Sequence, residues 1–146
     1  MFRLGMQVHR FLPPDLTMLL DVDVVVQAAE PATVRAPDVV VTRARSDQDL
    51  LIAADVALLV EIISRSSRNV DLHLKPFEYA EAGIPHYWVV DLDPPRPTVT
   101  AFTLAAPGDG YVESQTASGE LVVTEPFEMR IDIDALVDRQ PSRSEG

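Results

Sequence analysis

The spacing of hydrophobic positions along the chain is typical of β-strands over most of its length. Residues 17–26 read TMLLDVDVVV, where Asp21 and Asp23 alternate with apolar residues as in a strand with one face in water. Residues 56–63 read VALLVEII, an apolar run that predicts a central strand buried on both faces. Further strands are predicted over 37–41, 86–91, 98–104, 111–115, 120–124 and 127–131.

Helix signals occupy the middle of the chain. Residues 77–82 read FEYAEA and are followed by Gly83 as a stop and by Pro85. Because an interior Pro76 removes a helical hydrogen bond, the regular helix is expected to begin near Leu74. A short helix is also predicted over 132–137, and polar loops over 43–51 and 64–70. This order of strands, helix and further strands predicts a mixed α/β (α+β) fold with a helix across a sheet.

Length and composition indicate one globular domain. The 146 residues are 47% apolar and 24% charged, and we assign 1–138 to the domain and 139–146 to a disordered tail. No apolar run approaches the roughly 18 residues of a membrane-spanning helix, and residues 1–10 lack the pattern of a signal peptide, so a cytoplasmic location is expected. The absence of cysteine excludes disulfides, thiolate catalysis and zinc sites built on cysteine.

The net charge of −11 is distributed unevenly. Twelve basic residues face 23 acidic ones, a balance that disfavours binding to nucleic acid or to anionic membranes. Residues 35–75, however, hold six bases and six acids, so the excess negative charge lies in the rest of the chain. Lys75 is the one lysine in the sequence, beside eleven arginines.

Two acidic residues attract attention because they adjoin apolar strands. Glu61 interrupts the 56–63 run, where a carboxylate is costly unless it is paired, protonated or bound to a metal. The structural alternative is a strand-end glutamate that reaches solvent or an arginine such as Arg35. Asp38 follows Pro37 at the head of the 37–41 strand, where it can equally be a turn residue. If the two strands are adjacent, both carboxylates converge on one point and suit a hard cation such as Mg²⁺.

The predicted helix supplies a third candidate. Lys75 lies at its start, where an ammonium group can reach back over the strand end and neutralise developing phosphate charge. A solvated helix lysine is the structural alternative. Tyr79 shares a helix face with Lys75 at spacing i+4 and is interpreted as a core residue. His9, His73 and His86 show no metal-ligand spacing, and the chain has no phosphate loop, dinucleotide fingerprint or nucleophile elbow.

Taken together, the ordered motifs over 37–91 resemble a known family. They are PDVVV at 37–41, VEIIS at 60–64 with Ser66 and Ser67, and Asp71, Lys75 and Tyr79 at intervals of four, followed by AGIPHYWVVD at 82–91. This set resembles the Uma family of predicted restriction endonucleases, which belongs to the PD-(D/E)XK nuclease superfamily. The resemblance is strongest over 37–91 and extends over about 17–131.

The resemblance implies a restriction-endonuclease-like fold, a mixed four-stranded sheet flanked by helices, here with added C-terminal strands. It implies Mg²⁺-dependent hydrolysis of DNA phosphodiesters, with Mn²⁺ as a substitute. Asp38 and Glu61 would ligate the metal together with the backbone carbonyl of Ile62. The superfamily's lysine, two positions after the glutamate, is replaced here by Ile63, and Lys75 takes its place on the following helix.

One departure from the family pattern leads to a further expectation. Family members usually begin with an additional N-terminal region that includes a helix, and this chain is expected to lack that helix. One face of the sheet would then be partly exposed, and a homo-oligomer would cover it.

Two alternatives to a DNA endonuclease stay open. The first is an inactive, truncated nuclease-fold protein that acts as an interaction module or oligomer, which the acidic surface favours. The second is a hydrolase of another phosphoester, which would use the same metal site.

Overall fold

The computed structural model of the protein describes residues 1–28, 30–43, 50–63, 74–93, 95–106 and 109–137. Short 3₁₀ turns occur at Ala53–Asp55 and Asp134–Leu136. The helices and strands are α1 (Phe2–Arg10), β1 (Thr17–Leu20), β2 (Asp23–Gln27), β3 (Thr33–Arg35), β4 (Val39–Thr42), β5 (Leu50–Ile52), β6 (Val56–Ile63), α2 (Lys75–Glu81), β7 (His86–Asp91), β8 (Thr98–Leu104), β9 (Tyr111–Ala117), β10 (Glu120–Val123) and β11 (Met129–Asp132).

A six-stranded mixed sheet forms the centre of the molecule, with strand order β1-β4-β6-β7-β8-β9. The β6–β7 pair is parallel and every other neighbouring pair is antiparallel. The parallel pair requires a crossover connection, and α2 lies within it. Two smaller sheets, β3-β2-β5 and β10-β11, complete the fold.

Each face of the central sheet carries its own hydrophobic cluster. On one face, α1 and the β10–β11 hairpin pack against β4, β6 and β7, with Leu4 and Val8 of α1 fully buried. On the other face, α2 and the β3-β2-β5 sheet provide the cover, and Tyr79 of α2 lies in that cluster. From Leu58 to Ile63 the apolar residues of β6 alternate between the two clusters, which confirms the prediction that this strand is buried on both faces.

The mixed α/β class predicted from the sequence is confirmed, but the expectation of a missing N-terminal helix is wrong. α1 precedes the first strand and places Leu4 and Val8, one helical turn apart, against the sheet. Gly5 lies where an added Cβ would come within 3.0 Å of the Leu20 side chain, so the helix approaches β1 closely. In the described part of the chain both sheet faces are covered, which removes the reason given for expecting a homo-oligomer.

The predicted strand over 17–26 is two strands in different sheets. The chain turns at Asp21, whose φ of 53° lies in the left-handed region that aspartate tolerates better than branched residues do. β1 therefore joins the central sheet and β2 joins the small sheet. The alternating pattern correctly predicted that residues 17–26 are mostly extended, but it could not predict that the chain passes from one sheet to another.

Smaller differences occur near other predicted boundaries. The predicted loop over 43–51 ends in β5, which pairs parallel to β2, and the C-terminal helix is the 3₁₀ turn at Asp134–Leu136. The central sheet has six strands, and the expectation was a four-stranded sheet with added C-terminal strands. The predicted turn at 64–70, and the tail over 139–146, lie outside the described residues. None of the described helices has the length and apolar character needed to cross a membrane.

Candidate active site

Asp38 and Glu61 face each other across β4 and β6. Val39 pairs with Val60 and Val40 with Leu59, so the register continued by one position places Asp38 opposite Glu61. The backbone N–H of Asp38 donates to the Val60 carbonyl at 3.2 Å, so the two strands are still hydrogen-bonded at Asp38, although this bond is one position out of that register. Directly opposed residues project from the same sheet face with Cβ atoms about 4.5–5.5 Å apart. Both carboxylates therefore lie on the face that α2 covers.

The Asp38 side chain is anchored to the neighbouring strand. Its Oδ2 accepts a hydrogen bond of 2.7 Å from the backbone N–H of Ile62. The N–H and C=O groups of one strand residue point to the same side, as in the paired bonds of an antiparallel ladder. The Ile62 carbonyl is consequently directed toward the Asp38 side of β6.

The Glu61 carboxylate is held by two residues of α2. Its Oε1 accepts a hydrogen bond of 2.6 Å from the Tyr79 hydroxyl, and its Oε2 lies 3.5 Å from Lys75 Nζ. Glu61 is only 3% exposed, so these contacts offset part of the cost of removing its charge from water. Lys75 and Tyr79 reach the same carboxylate because residues at i and i+4 share a helix face.

Tyr79 acts here as a neutral hydrogen-bond donor. Burial raises the pKa of the Tyr79 phenol far above its usual value, and the Glu61 charge and hydrogen bond raise it further. The ring lies 5.4 Å from that of Tyr87, centroid to centroid, and is fully buried. The sequence predicted Tyr79 as a core residue, which is correct for its ring. The hydrogen bond from its hydroxyl to Glu61 was not predicted.

A bidentate ion pair fastens α2 to the small sheet. Arg35 of β3 donates from Nε and from an amino group to the two carboxylate oxygens of Glu78, at 2.6 and 2.7 Å. These hydrogen bonds raise the pKa of the Arg35 guanidinium and lower the pKa of the Glu78 carboxyl. The sequence offered Arg35 as a partner for Glu61, whereas its hydrogen bonds go to the helix that bears Lys75 and Tyr79.

Four residues predicted from the sequence thus meet at the C-terminal end of β6: Asp38, Glu61, Ile62 and Lys75. The serines at 64, 66 and 67 and Asp71 lie outside the described residues. Within the described ranges, no group of three or more His, Cys, Asp or Glu side chains is arranged to hold a metal ion. Among the described residues, the side-chain oxygens placed here are those of the Asp38 and Glu61 carboxylates and of the Tyr79 hydroxyl. The sequence signal available for Tyr79 was its i+4 spacing from Lys75.

Comparison with known proteins bears on the family and the fold. None of the curated proteins compared with the chain matches it. Among solved structures, the crystal structure of a putative nuclease belonging to DUF820 from Anabaena variabilis ATCC 29413 is similar, with a TM-score of 0.54 and 14% sequence identity. The alignment covers 86% of this chain and 66% of that chain, so this protein spans just under two thirds of its structural neighbour.

The family model described as "Uma2: Putative restriction endonuclease" matches residues 2–135. The match covers α1 through β11, and so includes every residue of the candidate site. The chain therefore belongs to the Uma2 family of putative restriction endonucleases.

Proposed function

We propose that the protein is a Mg²⁺-dependent DNA endonuclease that hydrolyses phosphodiester bonds at the C-terminal end of β6. The observation that carries this proposal is the convergence of Asp38, Glu61 and Lys75, which come from three different elements. Family membership supports a nuclease, and the metal, the substrate and the residue roles are inferred from the chemistry of the site.

The donor set fits a hard divalent cation. The Asp38 and Glu61 carboxylates and the Ile62 carbonyl supply oxygen ligands, which Mg²⁺ prefers, and Mg²⁺ commonly retains several waters beside one or two carboxylates. Each carboxylate oxygen has two lone pairs, so an oxygen that accepts one hydrogen bond can also bind a cation. When bound, Mg²⁺ would supply Lewis-acid polarisation of the phosphodiester and a lowered pKa for an attacking water.

Lys75 contributes positive charge to the same point. Its ammonium group lies 3.5 Å from Glu61 Oε2, and its side chain is 20% exposed, so it lies at the mouth of the site. From this position Lys75 neutralises negative charge that develops on the phosphate and orients the water that attacks it. The role is electrostatic, and it does not require Lys75 to lose a proton.

The charge distribution is compatible with a DNA substrate at this site. The net charge of −11 opposes non-specific attraction to a phosphate backbone. The segment 35–75, which contains Asp38, Glu61 and Lys75, is neutral overall, so the repulsion comes from other parts of the chain. A weak dependence of DNA binding on salt is the expected consequence.

Metal binding provides a test that does not depend on the DNA sequence recognised. Calorimetric titration with Mn²⁺ or Mg²⁺ is expected to show one site in the native chain and none in Glu61→Ala. The matched control is Glu113→Ala, because Glu113 is an exposed glutamate on β9 and should bind as the native chain does. A folded native chain that binds neither ion would contradict the proposal.

Cleavage of supercoiled plasmid in Mg²⁺ then tests the roles of the residues. Glu61→Ala and Lys75→Ala are expected to abolish cleavage, and Glu113→Ala to preserve it. If both site variants cleaved as the native chain does, the assignment of the active site would be wrong. The interaction-module alternative loses the exposed sheet face as support, because α1 covers that face, and keeps the acidic surface.

A further inference from the structure

The hydroxyl of Tyr79 in α2 donates a hydrogen bond to the Glu61 carboxylate, in addition to the packing of the Tyr79 ring. Tyr79 is fully buried and Glu61 is 3% exposed, yet the hydroxyl and the carboxylate meet at 2.6 Å. A hydrogen bond from a neutral donor to a carboxylate in such a dry environment is strong and directional. The contact therefore restricts the rotation of the carboxylate as well as satisfying the hydroxyl.

The two oxygens of Glu61 have different surroundings. Tyr79 binds Oε1, whereas Oε2 lies beside Lys75, the partly exposed residue at the mouth of the site. Because Tyr79 and Lys75 are four residues apart on one helix, they approach the carboxylate from one element with a fixed separation. Oε1 is thereby turned toward the core, and Oε2 is turned toward the accessible side.

The helix that bears these residues is itself held in place. Glu78, adjacent to Tyr79, receives both hydrogen bonds from Arg35 of β3. The ring of Tyr79 also packs beside Tyr87 of β7, which is the parallel neighbour of β6. Tyr79 is therefore supported on both sides, as expected of a group that orients another with precision.

We propose that Tyr79 is a positioning residue that fixes the Glu61 carboxylate with Oε2 presented to the divalent cation. The inference rests on the proposed metal-dependent function and adds a residue to it. Partners that orient a metal ligand typically change metal affinity by 10–100-fold when they are removed. Loss of the hydroxyl is expected to weaken binding because Glu61 gains rotational freedom and loses a donor that favours its charged form.

The test compares two tyrosine-to-phenylalanine variants. Tyr79→Phe removes the hydrogen bond to Glu61. Tyr111→Phe removes a partly buried hydrogen bond of similar length, 2.8 Å to the Ile84 carbonyl, in the same aromatic cluster. Mn²⁺ affinity is measured by calorimetry for the native chain and both variants, and folding is followed by thermal unfolding.

Tyr79→Phe is expected to weaken Mn²⁺ binding about 10-fold or more, with Tyr111→Phe within about twofold of the native chain. Equal affinity of Tyr79→Phe and the native chain would overturn the inference while leaving the proposed function intact. Equal weakening in both variants would also overturn it, since the effect would then follow from general destabilisation. A folded native chain that binds no Mn²⁺ would overturn the inference together with the proposed function.

A second measurement covers the case in which Tyr79→Phe does not fold. Mn²⁺ added to the native chain should perturb the near-ultraviolet absorbance of tyrosine, because a cation on Glu61 withdraws charge from the hydrogen bond to Tyr79. The perturbation should persist in Tyr111→Phe. Mn²⁺ binding with no change in tyrosine absorbance would contradict the coupling.

Discussion

Replacing Arg35 with methionine removes the two hydrogen bonds that hold Glu78, and with it α2, to the small sheet. Methionine keeps most of the aliphatic stem, so the change is mainly the loss of charge and donors. The complementary change, Glu78→Gln, keeps the shape of the partner. These two variants and their double mutant form a cycle that isolates the energy of the pair.

The geometry of the pair sets the expected magnitude. Exposed ion pairs contribute about 0.2–1 kcal/mol, whereas a hydrogen bond to a charged group contributes about 1.5–3 kcal/mol. The Arg35 and Glu78 side chains are 28% and 19% exposed, so water screens part of their attraction. We therefore expect a coupling energy of about 1–2 kcal/mol at pH 7.

Urea unfolding at pH 7 and at lower pH measures this coupling. Arg35 lowers the pKa of Glu78 in the folded protein, so the stabilisation is complete above the ordinary glutamate pKa of about 4.3 and is lost as pH falls through the lowered value. The control cycle uses Arg130 and Glu120, a pair at 3.7 Å whose side chains are 69% and 53% exposed.

Two results would refute this reasoning. One is a coupling for the Arg35–Glu78 pair no larger than that of the control pair. The other is a coupling unchanged at acid pH. If the coupling is as expected, Arg35→Met should also reduce DNA cleavage, because α2 carries Lys75 and Tyr79 to the Glu61 carboxylate.

Three further predictions concern the metal site and the response to acid. When the Mn²⁺ concentration is 100 times the dissociation constant, Mn²⁺ should stabilise the native chain by about 2.7 kcal/mol, which is measured as a rise in Tm. The Tm of Glu61→Gln should not rise. A rise equal to that of the native chain would show that Glu61 does not bind the metal. Lys75→Met should reduce plasmid cleavage about 100-fold, and it should weaken Mn²⁺ binding less than Glu61→Gln does. Cleavage at the native rate would exclude an electrostatic role for Lys75. Burial lowers the pKa of His86, so the unfolded chain takes up a proton first and stability should fall as pH drops below about 6.5. The free energy of unfolding in urea should fall less between pH 7 and pH 5 in His86→Gln than in the exposed control His9→Gln. Equal falls in the two variants would contradict a role for His86 in this acid response.

The parts of the fold that were predictable are those with a strong local pattern. The bounds of β6, β7 and β8 agree with the predicted strands at 56–63, 86–91 and 98–104. Their apolar runs are long and lie between proline, glycine or polar segments. The helix near Leu74 was predicted for the same reason, since Gly83 and Pro85 mark its end.

The parts that were missed depend on contacts between distant segments. In α1, Leu4 and Val8 have helical spacing, but the segment is short and mixes them with polar residues such as Arg3 and Gln7. The change of sheet at Asp21 follows from pairing with β4 on one side and β5 on the other, 17 or more residues away. Local propensity contains neither kind of information.

The candidate site shows the same division. The sequence alone predicted Asp38, Glu61 and Lys75 as site residues. The signals were a carboxylate within an apolar run and the ordered motifs around it. The Tyr79–Glu61 hydrogen bond needed the orientation of α2 over β6, and the Arg35–Glu78 pair needed the packing of β3 against α2. Partners of site residues are therefore harder to predict than the site residues, because they are chosen by tertiary packing.

The position of Glu61 argues for a role outside stability. Each face of the central sheet has its own hydrophobic cluster, and the neighbours of Glu61 in β6 are apolar and contribute to those clusters. A buried carboxylate with a lysine partner gives little net stability, and apolar replacements of such pairs are often neutral or stabilising. Sequences that break local rules in this way commonly do so at functional sites. Folding alone thus gives no reason for the charge at Glu61 or for the lysine beside it, whereas the proposed metal binding and phosphate chemistry would require both.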